Sequence, residues 1–119
     1  MRDQGAREAA AAALIYEQLQ VAAKSKDLEK VKAVAGTLFE KHGSTAYGPM
    51  GALLAAKTYF DAGDLKAARA PLQWVIDKGN DDEFKHLARI RLAGVMLDEK
   101  AYDEGLKILS VEVPARHAA

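Results

Sequence analysis

The hydrophobic residues of this chain recur at spacings of three and four, which is the pattern of helices with one apolar face. Six such runs predict six helices, over about residues 6–24, 30–41, 47–61, 65–77, 82–98 and 102–109. The fifth run follows Asp81 and Asp82, either of which can cap it. Because no segment shows the sustained two-residue alternation of a half-buried strand, the pattern predicts an all-α fold.

Polar residues and glycines between the runs predict where individual helices begin and end. Asp27 can cap the second helix, and Gly63–Asp64 can turn the chain and cap the fourth. Gly43 follows the second run, where we expect a glycine in the left-handed conformation to end the helix. Pro71 lies inside the fourth run, and we expect a kink or a locally opened turn because proline lacks an amide donor.

One polar-turn pattern returns along the chain at a fixed interval. Its anchors, Lys26, Gly63 and Lys100, follow one another 37 residues apart, each followed by a bulky apolar residue and then a small or compact one. Repeats of about 20–50 residues are typical of solenoids built from stacked hairpins. We therefore expect one domain, residues 1–119, that forms an α-solenoid of three helical hairpins over about 6–43, 45–79 and 81–113.

The middle repeat resembles a tetratricopeptide repeat, in which small residues let neighbouring helices approach closely. Its packing positions would be Ala56, Tyr59, Ala68, Leu72 and Val75. The corresponding positions are Ala93, Met96, Tyr102, Gly105 and Leu109 in the third repeat and, more loosely, Leu19, Ala22, Leu28, Val31 and Ala35 in the first. The period exceeds the roughly 34 residues of that repeat, so we expect longer helix connections around Gly43 and Asn80–Asp81.

Composition excludes several classes of function. The chain has 17 basic and 17 acidic residues and no net charge, so it lacks the basic field that binds nucleic acid. It has no cysteine, which excludes disulfides and thiolate zinc sites but fits both the cytosol and the bacterial periplasm. No run is long and apolar enough for a signal-peptide core or a membrane span.

Residues that could catalyse a reaction or bind a metal are scattered. His42, His86 and His117 do not share the i, i+4 spacing that places two histidines on one helix face. Paired carboxylates, as at Asp81–Asp82 and Asp103–Glu104, lie in turns where helix capping explains them. Phosphate-binding glycine loops and nucleophile motifs are absent from the sequence. We therefore expect no catalytic residue, metal or cofactor, although an enzyme using groove carboxylates remains an alternative.

A narrower resemblance covers about residues 44–110 and rests on five short segments. They are residues 44–48, 54–57, 65–68, 72–75 and 86–95, of which the last, with the one-letter sequence HLARIRLAGV, is the most distinctive. These segments resemble the periplasmic domain of the YfgM family, which is described as an ancillary subunit of the SecYEG translocon. Proteins of that family have a short cytoplasmic segment, one transmembrane helix and a tetratricopeptide-like periplasmic domain.

The resemblance implies a non-catalytic interaction domain at the bacterial inner membrane, on its periplasmic side. Protein partners would be translocon subunits and periplasmic chaperones such as the prolyl-isomerase-like PpiD, with no nucleic acid and no small-molecule substrate. The family's anchor helix is missing here, and similar proteins continue beyond Leu109 with at least one more hairpin. We therefore expect the sequence to be part of a longer, membrane-anchored protein.

The inner side of such a solenoid, formed by the first helix of each hairpin, commonly binds extended peptides or partner helices. The predicted partner-binding groove consists of Tyr16, Gln20, Met50, Leu53, Lys57, Phe60, Leu87, Ile90 and Leu97. These residues could equally pack against neighbouring helices or a further hairpin, and an exposed inner face leaves a homodimer open. A cytoplasmic tetratricopeptide adaptor that binds peptide termini is the alternative function, but only Lys57 suits its carboxylate clamp.

Overall fold

Five helices follow one another along the part of the chain that the structure, a computed structural model, describes: residues 2–99 and 107–109, with side chains from residue 5. They are α1 (Arg2–Lys24), α2 (Leu28–His42), α3 (Tyr47–Asp61), α4 (Leu65–Lys78) and α5 (Asp82–Asp98). Residues 107–109 are also helical, and the rest of the predicted sixth helix, with Tyr102 and Leu106, lies outside the described residues. The described residues include no strand, and the all-α prediction is confirmed.

The turns between α1 and α2 and between α3 and α4 have the same construction. Lys26 and Gly63 adopt the left-handed conformation, with φ of 60° and 83°. Hydrogen bonds from the amides of Asp27 and Asp64 to the carbonyls of Ala22 and Tyr59 close the two turns. Each aspartate then caps the following helix by accepting a hydrogen bond from a backbone amide, at 3.2 Å in α2 and 3.0 Å in α4. Both predicted caps are confirmed.

The predicted left-handed end of α2 at Gly43 is wrong. Gly43 has φ of −60° and ψ of −25°, a right-handed conformation open to any residue. Space explains the glycine instead, because a Cβ atom there would lie 2.9 Å from Cζ2 of Trp74 and 2.5 Å from the carbonyl oxygen of Phe39. The side chain of Trp74 stacks on Phe39 with a centroid separation of 4.6 Å, so a side chain of α4 reaches the C-terminal end of α2 at this point.

The structure also bears on two other expectations, the cap of α5 and the effect of Pro71 within α4. Of the two aspartates before α5, Asp81 is the cap, since its carboxylate accepts from the amides of Glu83 and Phe84. Helix α4 runs without a break from Leu65 to Lys78 although Pro71 lies inside it. The helix therefore continues through Pro71, and the expected kink or locally opened turn stays a prediction.

The core forms where the 37-residue repeat places its packing residues. The largest fully buried side chains are Leu19, Leu38, Leu72, Leu92, Val31 and Val75. Leu19, Ala56 and Ala93 occupy one repeat position and are all buried, as are Ala22, Tyr59 and Met96 at another. Each buried leucine or valine stabilises the fold by about 1.5–3 kcal/mol through removal of apolar surface from water. Consecutive helices pack together and α3 also contacts α1 and α5, which confirms the helical solenoid.

Within residues 2–99 and 107–109, no helix is both long enough and apolar enough to cross a membrane.

Candidate partner-binding groove

Helices α1, α3 and α5, which the sequence predicts to be the first helices of the hairpins, border two open clefts. The cleft between α3 and α5, called here the α3–α5 cleft, has a volume of about 460 Å³. The cleft between α1 and α3, called the α1–α3 cleft, has a volume of about 510 Å³. Lys57 and Asp61, one turn apart on α3, line both of them. The two clefts are therefore adjoining halves of one groove.

An ion pair marks the boundary between the two halves. Lys57 Nζ donates a hydrogen bond to Asp61 Oδ2 at 2.9 Å, with both side chains well exposed (64 % and 60 %). Exposed i, i+4 pairs of this kind contribute only about 0.3–0.5 kcal/mol to stability. Because so little is lost when the pair is broken, both groups are free to exchange their contact for one with a ligand.

The α3–α5 cleft is apolar at its base and electrically balanced. Ala56, Leu72 and Val95 are buried residues that line it, and Phe60 is 38 % exposed at the same cleft. Its charged lining residues are Lys57, Arg91, Asp61 and Asp98, two of each sign. An apolar side chain inserted here would remove Phe60 from water, which is the favourable term in most protein association.

The α1–α3 cleft has a different charge. Its apolar lining comes from Ala23, Leu28, Leu54 and Ala62. Its charged lining residues are Lys24, Lys26, Lys57 and Asp61, three cations and one anion. The neutral chain thus presents a locally basic surface on this half of the groove.

Only some of the predicted groove residues line the two clefts. Gln20 lines the α1–α3 cleft, Phe60 lines the α3–α5 cleft and Lys57 lines both. Ile90, on α5, is 46 % exposed without lining either cleft. These residues present both apolar and polar groups to solvent along the first helices.

The other predicted groove residues pack into the fold to a greater extent. Leu53 is only 8 % exposed and belongs to the core. Tyr16 is half-buried, with its ring centroid 5.6 Å from that of Tyr47. The remaining predicted residues, Met50, Leu87 and Leu97, are half-buried as well. Leu53 and Tyr16 therefore fit the alternative of packing against neighbouring helices.

Several charged residues line the clefts but do not belong to the groove predicted from the sequence. They are Lys24, Lys26, Arg91 and Asp98. The repeat contains a signal for some of them, because Lys24, Asp61 and Asp98 follow one another at 37-residue intervals. Arg91 stands at the same interval after Leu54, which lines the α1–α3 cleft. Lys26 lies in the turn after α1, and its counterpart one repeat later, Gly63, lines neither cleft, so the repeat gives no signal for Lys26 as a groove residue.

Titratable residues outside the groove do not gather into one site. His42, the last residue of α2, has a largely buried side chain whose Nδ1 lies 3.8 Å from Oε1 of Glu8. His86 lies half-buried in α5, and His117 falls outside the described residues. Over the described ranges, no three histidines or carboxylates come together in a group that could hold a metal ion.

Comparisons with known proteins agree with this architecture. Residues 2–119 match the family described as tetratricopeptide repeat-like domain. The chain is 31 % identical, over 108 residues, to a protein of Neisseria gonorrhoeae (strain ATCC 700825 / FA 1090) named ancillary SecYEG translocon subunit. The aligned part is 91 % of this chain and 52 % of that protein, so the chain spans about half the length of this relative. No solved structure gives a significant match.

The matched residues include nearly the whole chain, and the buried positions recur at the interval that the repeat requires. The resemblance to ancillary SecYEG translocon subunits drawn from residues 44–110 is thereby confirmed. The chain belongs to the tetratricopeptide repeat-like domain family.

Proposed function

We propose that this chain is a non-catalytic protein-interaction domain whose groove, made by α1, α3 and α5, binds a segment of a partner protein. The observation that carries the proposal is the pair of adjoining clefts that meet at Lys57 and Asp61. Their apolar linings and exposed charges suit a protein chain, which offers both kinds of side chain. Phe60 lines the α3–α5 cleft and is 38 % exposed, so it is the natural apolar anchor; Ile90 on α5 is exposed but lies outside both clefts.

The proposed setting is the periplasmic side of a bacterial inner membrane. There the domain, a single unit of three hairpins, would belong to a longer anchored protein that contacts the SecYEG translocon and periplasmic chaperones. The relative named ancillary SecYEG translocon subunit supports this setting. A reporter enzyme that is active only after export, fused to the full-length protein after this domain, tests the side of the membrane. Activity of a cytoplasmic reporter at the same position would instead favour the adaptor alternative.

The groove itself is tested by binding of the full-length protein to purified SecYEG and, separately, to PpiD. We expect Phe60→Asp to weaken at least one of these interactions about tenfold, because it places a charge on an apolar contact of the α3–α5 cleft. Leu53→Asp is unsuitable, since Leu53 is buried and the charge would disturb folding.

Leu14→Asp and Val21→Asp provide the matched control. Both residues are apolar, lie on α1, are 62 % exposed, and line neither cleft. Circular dichroism melting curves should show that Phe60→Asp and both control variants fold. Equal binding by the groove and control variants, or a loss confined to Leu14→Asp and Val21→Asp, would overturn the groove as the docking site.

A further inference from the structure

The α1–α3 cleft has an excess of positive charge that the rest of the described structure does not neutralise. Lys24, Lys26 and Lys57 line it, and Asp61, its one acidic lining residue, already pairs with Lys57. Within the described part of the chain, neither Lys24 nor Lys26 forms an ion pair. Among the described residues, the cleft therefore offers two cations without an ion-pair partner, although the whole chain has no net charge.

The position of Lys26 adds a second observation. Lys26 stands in the left-handed conformation that Gly63 adopts in the next repeat. Among non-glycine residues this conformation is favoured mainly by asparagine and aspartate, and a lysine there raises the free energy of the fold. The turn imposes this conformation, as it does at Gly63, whatever the side chain. At Lys26 the side chain supplies a positive charge at the edge of the α1–α3 cleft.

The two halves of the groove thus differ in the partner chemistry that they favour. The α3–α5 cleft balances Lys57 and Arg91 against Asp61 and Asp98 and presents Phe60. The α1–α3 cleft is basic above an apolar lining that includes Leu28 and Leu54. A segment lying along the groove would meet cations at one end and an apolar contact at the other.

We propose that the α1–α3 cleft binds the acidic part of a partner protein segment whose apolar side chains enter the adjoining α3–α5 cleft. This inference rests on the proposed function and adds the chemistry and the direction of the bound segment. Lys24 and Lys26 attract its carboxylates and orient it, since complementary charge at the rim of an interface governs association rate and register.

An acidic protein segment suits the cleft better than an anionic membrane. The cations border a concave space of about 510 Å³ with an apolar lining, which fits an extended chain with side chains. A bilayer surface is flat, and its attraction for proteins needs a denser cluster of basic residues than Lys24, Lys26 and Lys57.

The test is a selection from a random peptide library, displayed on phage, against the purified full-length protein. We expect enriched peptides to combine Asp or Glu with Phe, Leu or Ile, in one order along the peptide. The double variant Lys24→Glu/Lys26→Glu should weaken the best peptide about tenfold and should enrich Lys and Arg in a fresh selection. Added salt should weaken the wild-type complex more than that of the variant.

Lys66→Glu/Lys78→Glu is the matched control. Both lysines are exposed on α4, the charge change is the same, and neither residue lines the groove. Lys78 lies in the last turn of α4, as Lys24 does in α1. We expect the control to bind the selected acidic peptides as the wild type does.

Three results would overturn the inference. Selected peptides without acidic enrichment, or acidic peptides equally weakened by both double variants, would remove the role of Lys24 and Lys26. Loss of binding to phosphatidylglycerol vesicles in Lys24→Glu/Lys26→Glu, with peptide binding unchanged, would assign the charge to a membrane. In each case the proposed function survives if Phe60→Asp still weakens peptide binding, and it fails if Phe60→Asp has no effect.

Discussion

Lys26 and Gly63 hold the same left-handed backbone conformation at positions 37 residues apart, each directly before the aspartate that caps the next helix. One repeat fills this position with glycine and the other with lysine. The left-handed conformation costs a non-glycine residue about 1–2 kcal/mol, whereas glycine adopts it freely. The two repeats therefore build the same turn with different backbone strain.

This difference predicts the effect of Lys26→Gly. We expect the free energy of unfolding to rise by about 1 kcal/mol, since relief of strain exceeds the extra entropy that glycine loses on folding. Urea denaturation followed by circular dichroism measures the change. The same variant should bind acidic peptides several-fold more weakly, because it removes a cation from the α1–α3 cleft.

Gly63→Lys is the reciprocal experiment. A Cβ atom at Gly63 would meet no atom within 4 Å, so the substitution isolates backbone strain from steric overlap. We expect Gly63→Lys to lower the free energy of unfolding by about 1–2 kcal/mol. Unchanged stability in both Lys26→Gly and Gly63→Lys would show that the turn does not impose the left-handed conformation.

A second prediction concerns alkaline pH and Tyr59. Tyr59 is buried in the core, and this burial, together with the nearby carboxylate of Asp64, raises the pKa of its phenol above 10.0. Because the pKa in the folded state exceeds that in the unfolded state, the neutral phenol stabilises the fold fully below pH 10. That contribution is lost as pH rises through the folded-state pKa.

Tyr59→Phe removes this ionisable group while keeping the ring. We expect the free energies of unfolding of wild type and Tyr59→Phe to run parallel between pH 7 and 9 and to diverge above about pH 10. The variant should then be the more resistant to alkaline unfolding. Urea titrations at fixed pH values measure the difference, and a difference independent of pH would contradict the assignment to Tyr59.

A third prediction compares Gly43, which directly follows α2, with Gly36, which lies within α2. In Gly43→Ala the new methyl group would press on the ring of Trp74 and the carbonyl of Phe39. We expect this overlap to cost about 1–3 kcal/mol of stability. The fluorescence of Trp74, the sole tryptophan of the chain, should change as its stacking on Phe39 is disturbed.

Gly36→Ala is the control for this substitution. Gly36 lies exposed within α2, and a Cβ atom there would meet nothing within 4 Å. Because alanine is the better helix former, we expect Gly36→Ala to stabilise the protein by about 0.5–1 kcal/mol. Stabilisation of the protein by both substitutions would show that the space around Gly43 is not restricted.

Features set by neighbouring residues could be predicted from the sequence, whereas those set by distant helices could not. Asp27 and Asp64 cap helices through amides three residues away, so their signal is local. The need for glycine at residue 43 depends instead on Trp74, which is distant in sequence and approaches only in the folded chain. The steric role of Gly43 was therefore beyond a local rule.

The candidate site shows the same limit. Leu53 and Phe60 lie seven residues apart on one face of α3, and periodicity assigns both to the groove. The fold leaves Phe60 38 % exposed and buries Leu53 almost completely. Helical spacing predicts a shared face, but how deeply a neighbouring helix covers that face depends on helix crossing.

A fourth prediction concerns the ion pair that joins α4 to the end of α5. Arg69 Nε donates a hydrogen bond to Glu99 Oε1 at 2.6 Å, and both side chains are partly shielded from water, with exposures of 34 % and 25 %. The pair holds α5 against α4, and α5 in turn supplies Arg91 and Asp98 to the α3–α5 cleft. A double-mutant cycle with Arg69→Met and Glu99→Gln should give a coupling energy of about 1–2 kcal/mol, because charge-assisted hydrogen bonds strengthen as exposure falls.

The pair of Lys57 and Asp61 is the matched control, since it is also an ion pair with a single short hydrogen bond but stays well exposed. Its cycle, with Lys57→Met and Asp61→Asn, should give only about 0.3–0.5 kcal/mol. Equal coupling in the two cycles would contradict a structural role for Arg69 and Glu99. A larger coupling for Arg69 and Glu99, with weaker peptide binding in Glu99→Gln, would link the position of α5 to the shape of the groove.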